Sequence, residues 1–429
     1  MSAKLSSSAE VLTVLLVLVC VAGVSAAFAS GPTEQVLTSF AYATGDQPDG
    51  GLIADKAGNL YGTTPWYGAN SGGMIFELTP PAAGGDAWTQ TVLYSFHGGS
   101  TDGGAPYGTL IFDASGNLYG TTAVGGPNNN GTVFELSPPT SPGGAWTEKI
   151  LFFFPANGSK GTWPFGKLEM DASGNLYGTT QFGGSGTGNV CTVGGCGTVF
   201  KLSPPPAGQQ SWRAQVIYNF GSTPNDGLLP GRGLLVHQGA IYGVTQEGAG
   251  NCGTVFQLVP SGGTWTENTL FTFQGIGCGA TGGLIVDPSG NLYGTARLGG
   301  AYDDGVVFEL SPPAASEDSW TENTLYVFTG HRDGSQPQGS LVRDNQGNLY
   351  GTASAGGIVS VNGGVVFRLS PPAPSSGGVW KEVVLHAFAG GSSDGMLPQG
   401  DLLLRGGSLY GTTVGGGNPG PGTVFVVTP

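Results

Sequence analysis

Apolar and polar positions along this chain fall into short runs, and the same runs keep returning. Leu118-Tyr119-Gly120-Thr121-Thr122 and Thr132-Val133-Phe134-Glu135-Leu136 are typical. Both are rich in aromatic and β-branched residues, and no segment carries the 3.6-residue period of an amphipathic helix. The runs are separated by strong breakers. Asp113-Ala114-Ser115-Gly116-Asn117 is a turn in which Asp can accept from the following backbone and Gly116 can take positive φ, and Pro138-Pro139 cannot donate to a ladder. The pattern predicts four short strands over 110–112, 118–122, 132–136 and 146–154.

That unit occurs seven times. Leu-Tyr-Gly or a close variant centres on Tyr61, Tyr119, Tyr177, Tyr242, Tyr293, Tyr350 and Tyr410, at intervals of 58, 58, 65, 51, 57 and 60 residues. Each is followed by Gly-Thr-Val-Phe or a variant, with Phe at 76, 134, 200, 256, 308, 367 and 425. A Trp then stands at 88, 146, 212, 265, 320 and 380, with a Phe eight residues on. One such sheet cannot bury both its apolar faces, whereas seven arranged radially bury each other's. The expected fold is therefore all-β, a seven-bladed β-propeller of four-stranded antiparallel blades. The seventh copy stops at Pro429 without its fourth strand, and residues 33–40 read like that missing strand, Pro32 replacing the Trp. The N-terminal strand is expected to complete blade seven, giving one domain over residues 30–429.

Composition narrows the class. Gly (81) and Pro (29) argue against helical bundles, while 43 aromatic residues are enough for a core. A net charge of −14 leaves no cationic footprint for nucleic acid or an anionic membrane. Residues 1–29 read as a signal peptide: Lys4, an apolar run from Val11, and Ala27-Phe28-Ala29 before the cut. A secreted, periplasmic or cell-surface monomer is expected, with no membrane insertion after cleavage. Export puts Cys191, Cys196, Cys252 and Cys278 in an oxidising compartment. Their repeat positions favour Cys191–Cys196 and Cys252–Cys278 as the pairs.

The unit Gly-Asn-Leu-Tyr-Gly-Thr-Thr … Gly-Thr-Val-Phe-Glu-Leu-Ser-Pro-Pro, as at 116–122 and 131–139, resembles the GloVer tandem repeat of secreted bacterial choice-of-anchor proteins. The resemblance covers the whole mature chain, although copies four and seven lack the Asp and Asn of the turn. It implies export and brings no catalytic residues with it. Because the chain ends at Pro429 without a sorting tail, surface attachment is not implied.

Strand order assigns the loops to faces. The connections between strands two and three, and those leading into the next blade, share the upper face. The Asp-x-x-Gly-Asn turns lie on the lower one. Upper connections vary more, running 15, 15, 23, 14, 15, 17 and 15 residues from Tyr to Phe, so recognition is expected there. Asp102, Asp226, Asp333 and Asp394 each begin an Asp-Gly-x-x-Pro loop on this face. Their carboxylates either ring the mouth of a central channel, where they would meet a cation or sugar hydroxyls, or simply close turns. Trp66 and Trp163 fall outside the repeated Trp series and are the aromatic candidates for stacking on a glycan or peptide. The repeated Tyr reads as interblade packing with a satisfied hydroxyl. The His residues occupy unrelated repeat positions, so no metal site is expected, and no phosphate loop or dinucleotide fingerprint calls for a cofactor. The leading reading is a non-catalytic binding module for a glycan, peptide or small ligand. An extracellular polysaccharide lyase or hydrolase using Asp226, Asp333, Asp394 and His331 is the alternative, and a structural surface spacer the third.

Overall fold

The computed structural model describes residues 31–429 apart from 83, 84, 86, 142, 187–190, 192–193, 249–251, 276, 315–318 and 374–377. The expected signal peptide, 1–29, lies outside the described residues. Blade two shows the plan. Ile111–Phe112, Leu118–Thr122, Thr132–Ser137 and Thr147–Phe153 pair in that order, each antiparallel to the next. Seven such blades make the propeller. Among the described residues no helix is long and apolar enough to cross a membrane.

Closure occurs where it was expected. Thr33–Ser39 pairs antiparallel with Thr423–Thr428, from Thr33 opposite Thr428 to Ser39 opposite Thr423. Blade seven thus consists of Leu403–Arg405, Ser408–Thr413, Thr423–Thr428 and the N-terminal strand. The N-terminal strand even carries the bulge found in the outer strands of the other blades, between Val36 and Thr38 here and opposite Val133/Phe134 in blade two.

Packing repeats with the sequence. The Phe ending each outer strand meets the third-strand Phe of the next blade edge-on, as in Phe96–Phe134 at 5.2 Å and Phe154–Phe200 at 5.4 Å. Phe40–Phe76 at 5.0 Å closes the series between blades seven and one. Each such pair adds about 0.5–1.5 kcal/mol beyond its buried area. The glycine of Leu-Tyr-Gly makes room for it: a Cβ on Gly120 would lie 2.6 Å from Phe134 Cζ. On the lower face Asp113 Oδ1 accepts from the Ser115 and Asn117 amides, and Oδ2 accepts from Asn117 Nδ2 and Tyr119 Oη. The repeated Tyr of blades one, two, three, five and six is buried with its hydroxyl on the turn's Asp, whereas Tyr242 accepts from Gln257 and Tyr410 is half-buried. Cys191–Cys196 and Cys252–Cys278 are disulfides, the second joining the strand-two-to-three connection of blade four to the loop entering blade five.

Candidate functional site

The upper loops reach the hub through the pattern Pro-x-Gly-x-Leu, seen in Pro106-Tyr107-Gly108-Thr109-Leu110. The residue before Pro is left-handed: Gln47, Ala105, Trp163, Leu229, Gln336 and Leu397 have φ of 54–58°, and Gly279 takes the place in blade five. That conformation costs a non-glycine residue about 1–2 kcal/mol. The loop then packs its own backbone against the next one. A Cβ on Gly108 would sit 2.5 Å from Gly166 O, and one on Gly339 would sit 2.7 Å from Gly400 O. Second-strand threonines bind the ring together, Thr63 Oγ1 donating to Gly108 O and Thr412 Oγ1 to Gly50 O. The space left at this level is about 20 Å³, room for one water-sized group. The hub is closed rather than an open channel. Below it lies a cavity of about 450 Å³, walled by leucines with the Lys167–Glu169 ion pair on its edge.

The closed hub carries the positions at which the repeats disagree. After the Pro, or Ala280 in blade five, come Asp49, Tyr107, Phe165, Gly231, Thr281, Gln338 and Gln399, and Arg232 replaces the hub glycine of blade four. Arg232 Nη1 is 2.7 Å from Asp49 Oδ2, and its guanidinium lies over Phe165 at 5.2 Å. Asp49 Oδ1 is buried without a hydrogen-bond partner. Burial, with help from Asp49 and opposition from Arg232, pushes the Tyr107 hydroxyl up to about 12.

An open cleft of about 420 Å³ on the rim of blade one is lined by Asp46, Gln47, Trp66, Tyr67 and Ser71. Trp66 is 42% exposed and Tyr67 47%, while Asp46 beside them is buried. Tyr42, also exposed, packs at a tilt on Tyr67 at 4.8 Å, and Trp66 stands edge-on to Tyr107 at 6.0 Å. Burial raises the Asp46 carboxyl above its usual range, and the Gln47 amide partly offsets this. Large exposed aromatic faces beside a shielded acid suit a ligand that offers an apolar face and hydroxyl edges.

Of the residues singled out from sequence, Trp66 enters this cleft. Trp163, 44% exposed and packed on Phe182 at 6.0 Å, stands on the loop entering blade three. Tyr107, edge-on to Trp66, and Phe165, two residues after Trp163, line the same hub pocket. Asp102, Asp226, Asp333 and Asp394 do not line that pocket; each is committed to its own loop. Asp102 accepts from the His97 and Gly103 amides and from Tyr94 Oη, and Asp226 from the Ser222 amide and Tyr218 Oη. Asp333 takes the Thr329 amide and hydroxyl with Tyr326 Oη, and Asp394 takes the Ala389 and Gly395 amides. His331 is exposed and stands apart from Asp226 and Asp394 on the blade-six loop.

Sequence reasoning missed a glutamate opposite each of these aspartates, contributed by the next blade's outer strand. Burial, and then Asp102, push Glu148 up to about 7; burial and Asp333 do the same to Glu382. Glu267 rises beside Asp226 for the same reasons. Neither Glu148 Oε1 nor Glu382 Oε1 has a partner. A signal did exist. The Asp of Asp-Gly-x-x-Pro appears only in loops that follow Tyr94, Tyr218, Tyr326 or His386, and the residues corresponding to these elsewhere are Phe152, Phe271 and Thr38. Asp333 and Glu382 also border an open groove of about 790 Å³ with Ile358 and Val359 on its wall.

The sequence model of the Gloeobacter/Verrucomicrobia repeat matches residues 23–251, 191–321 and 248–429. No curated protein matches the chain. Among solved structures, a Lactobacillus plantarum protein aligns at 14% identity over 83% of this chain and 88% of its own, with a TM-score of 0.53. That likeness shows a shared fold. A Dyadobacter fermentans protein of unknown function aligns at 14% identity over 93% of this chain and 99% of its own, with a TM-score of 0.44. A luciferin-regenerating enzyme aligns at 12% identity over 93% of this chain and 96% of its own, with a TM-score of 0.45.

Proposed function

Since the chain belongs to the Gloeobacter/Verrucomicrobia repeat family, we propose that it is an exported, non-catalytic propeller that binds a glycan on its upper rim. The cleft of blade one carries the reading. Trp66 and Tyr67 offer exposed ring faces, and the shielded Asp46 carboxyl stands beside them. A sugar ring stacked there would present its hydroxyls to Asp46 and Gln47. The hub pocket supplies the second contact. With about 20 Å³ free it admits one hydroxyl or ammonium group, for which the unpartnered Asp49 Oδ1 is an acceptor.

The enzymatic alternative has its best candidates in Asp333 and Glu382 at their open groove. The same carboxyl pair recurs as Asp102 with Glu148 and as Asp226 with Glu267, which favours a role in holding blades together, because catalysis draws on singular constellations. A glycan array probed with the purified chain beginning at Ser30 tests the reading. Saturable binding that falls in Trp66→Ala supports it, and a parallel loss in Trp163→Ala extends the surface to blade three. Flat responses across sugars and peptides would favour the spacer. Polysaccharide turnover abolished by Asp333→Ala would favour the enzyme.

A further inference from the structure

Three seams between blades share one arrangement. Tyr94 Oη donates to Asp102 Oδ2 at 3.2 Å, Tyr218 Oη to Asp226 at 2.9 Å, and Tyr326 Oη to Asp333 at 3.0 Å. In each, a glutamate of the next blade faces the aspartate: Glu148, Glu267 and Glu382. The seam between blades six and seven departs from this. His386 holds the tyrosine's place, and the glutamate is Glu34, contributed by the N-terminal closing strand. One ligand atom from each of Glu34, His386 and Asp394 lies within 4.8 Å of the other two.

The His386–Asp394 spacing suits two ligands of one ion. His386 Nε2 is 3.3 Å from both Asp394 oxygens. Without an ion the pair is a long, forked contact, at the distance His97 keeps from Asp102. Two ligand atoms about 2.1 Å from a tetrahedral ion stand about 3.4 Å apart. The seat is also held in place. The Ala389 and Gly395 amides orient the Asp394 carboxylate, which is 8% exposed, and His386 packs edge-on against Phe388 at 4.7 Å. Glu34 Oε1 is shut off from solvent and has no hydrogen-bond partner, so one acceptor is left over beside the other two ligands. Two carboxylates and a neutral imidazole balance the charge of a dication.

We propose that Glu34, His386 and Asp394 bind a divalent transition-metal ion of the zinc class, which ties the closing strand to blade six. Water completes the coordination. The inference is independent of the glycan reading, because the seat lies in a different seam from the blade-one cleft. It is tested by titrating zinc chloride alone into the untagged, chelator-stripped chain by calorimetry, with thermal midpoints measured in parallel. The wild type takes up one equivalent and melts higher with zinc, and calcium produces neither effect. His386→Tyr installs the residue used by the other three seams, so it keeps the fold and weakens zinc binding by about tenfold or more. Glu34→Gln gives a second, nearly isosteric loss. Absence of zinc uptake by the wild type would overturn the site, leaving His386 as a hydrogen-bond partner of Asp394. Undiminished uptake in both variants would overturn it as well, and an equal response to calcium would overturn the metal class.

Discussion

The lower turns and the upper loops of this propeller both use an aspartate to close a bend, with different consequences. In the lower turns the aspartate is spent entirely within its own hairpin. Asp55, Asp113, Asp171, Asp287 and Asp344 each take the amide and side chain of the following Asn and the hydroxyl of the repeated Tyr. In the upper loops the aspartate also confronts a glutamate across a seam, and around it the sequence stops repeating. The lower face is a fastening. The upper face is where the same scaffold leaves buried oxygens unpaired and aromatic rings uncovered, at Asp49, Trp66 and Tyr67.

The comparison is broken hardest at the closure on which both faces depend. Phe40→Ala empties a fully buried site between blades seven and one and should cost about 3–5 kcal/mol, read by chemical denaturation. Next comes the lower face itself. Asp113→Ala strands the donors of Ser115, Asn117 and Tyr119 and should cost about 2 kcal/mol while leaving glycan affinity unchanged. The reverse is expected above. Trp66→Ala should weaken glycan binding by about tenfold, roughly 1.4 kcal/mol, with the melting temperature unmoved because the ring is 42% exposed.

The smallest effect concerns pH. Glu148 and Glu382 hold protons up to about 7 in the fold, against an ordinary 4.5. Between those values the folded chain binds protons that the unfolded chain has released. Their contribution is therefore present at the acid end and is lost as pH rises through about 7. Thermal midpoints should fall between about pH 5.5 and 8, and the double variant Glu148→Gln/Glu382→Gln should flatten that slope. A midpoint that rises over this range would contradict the seam electrostatics.

Much of this architecture was legible because repetition multiplies weak signals. Leu-Tyr-Gly, Thr-Val-Phe and the Trp-to-Phe spacing laid out every blade, and a terminal strand lacking only its Trp revealed the closure. The packing role of the repeated Tyr was legible too, since it holds one strand position in every blade. The hub was not. Its closure depends on Gly108, Gly166 and Arg232 meeting backbone to backbone from different blades, which no local pattern encodes. The direction of the Asp102 and Asp226 carboxylates was equally hidden, because an Asp-Gly turn looks the same whether its acid faces the axis or the strand behind. The blade-one cleft is a single occurrence, so only Trp66 betrayed it; Asp46, Tyr42 and Tyr67 carried no repeat to depart from. Glu34 escaped because its partners stand at the other end of the chain.

The contrast between the faces can be measured in one experiment: amide hydrogen exchange of the chain with and without the glycan selected by the array. Protection is expected in the upper segments 42–48, 65–73 and 104–108, with the lower turns 55–59 and 113–117 unchanged. Protection confined to the lower turns, or no glycan-dependent change on the upper rim, would contradict the account.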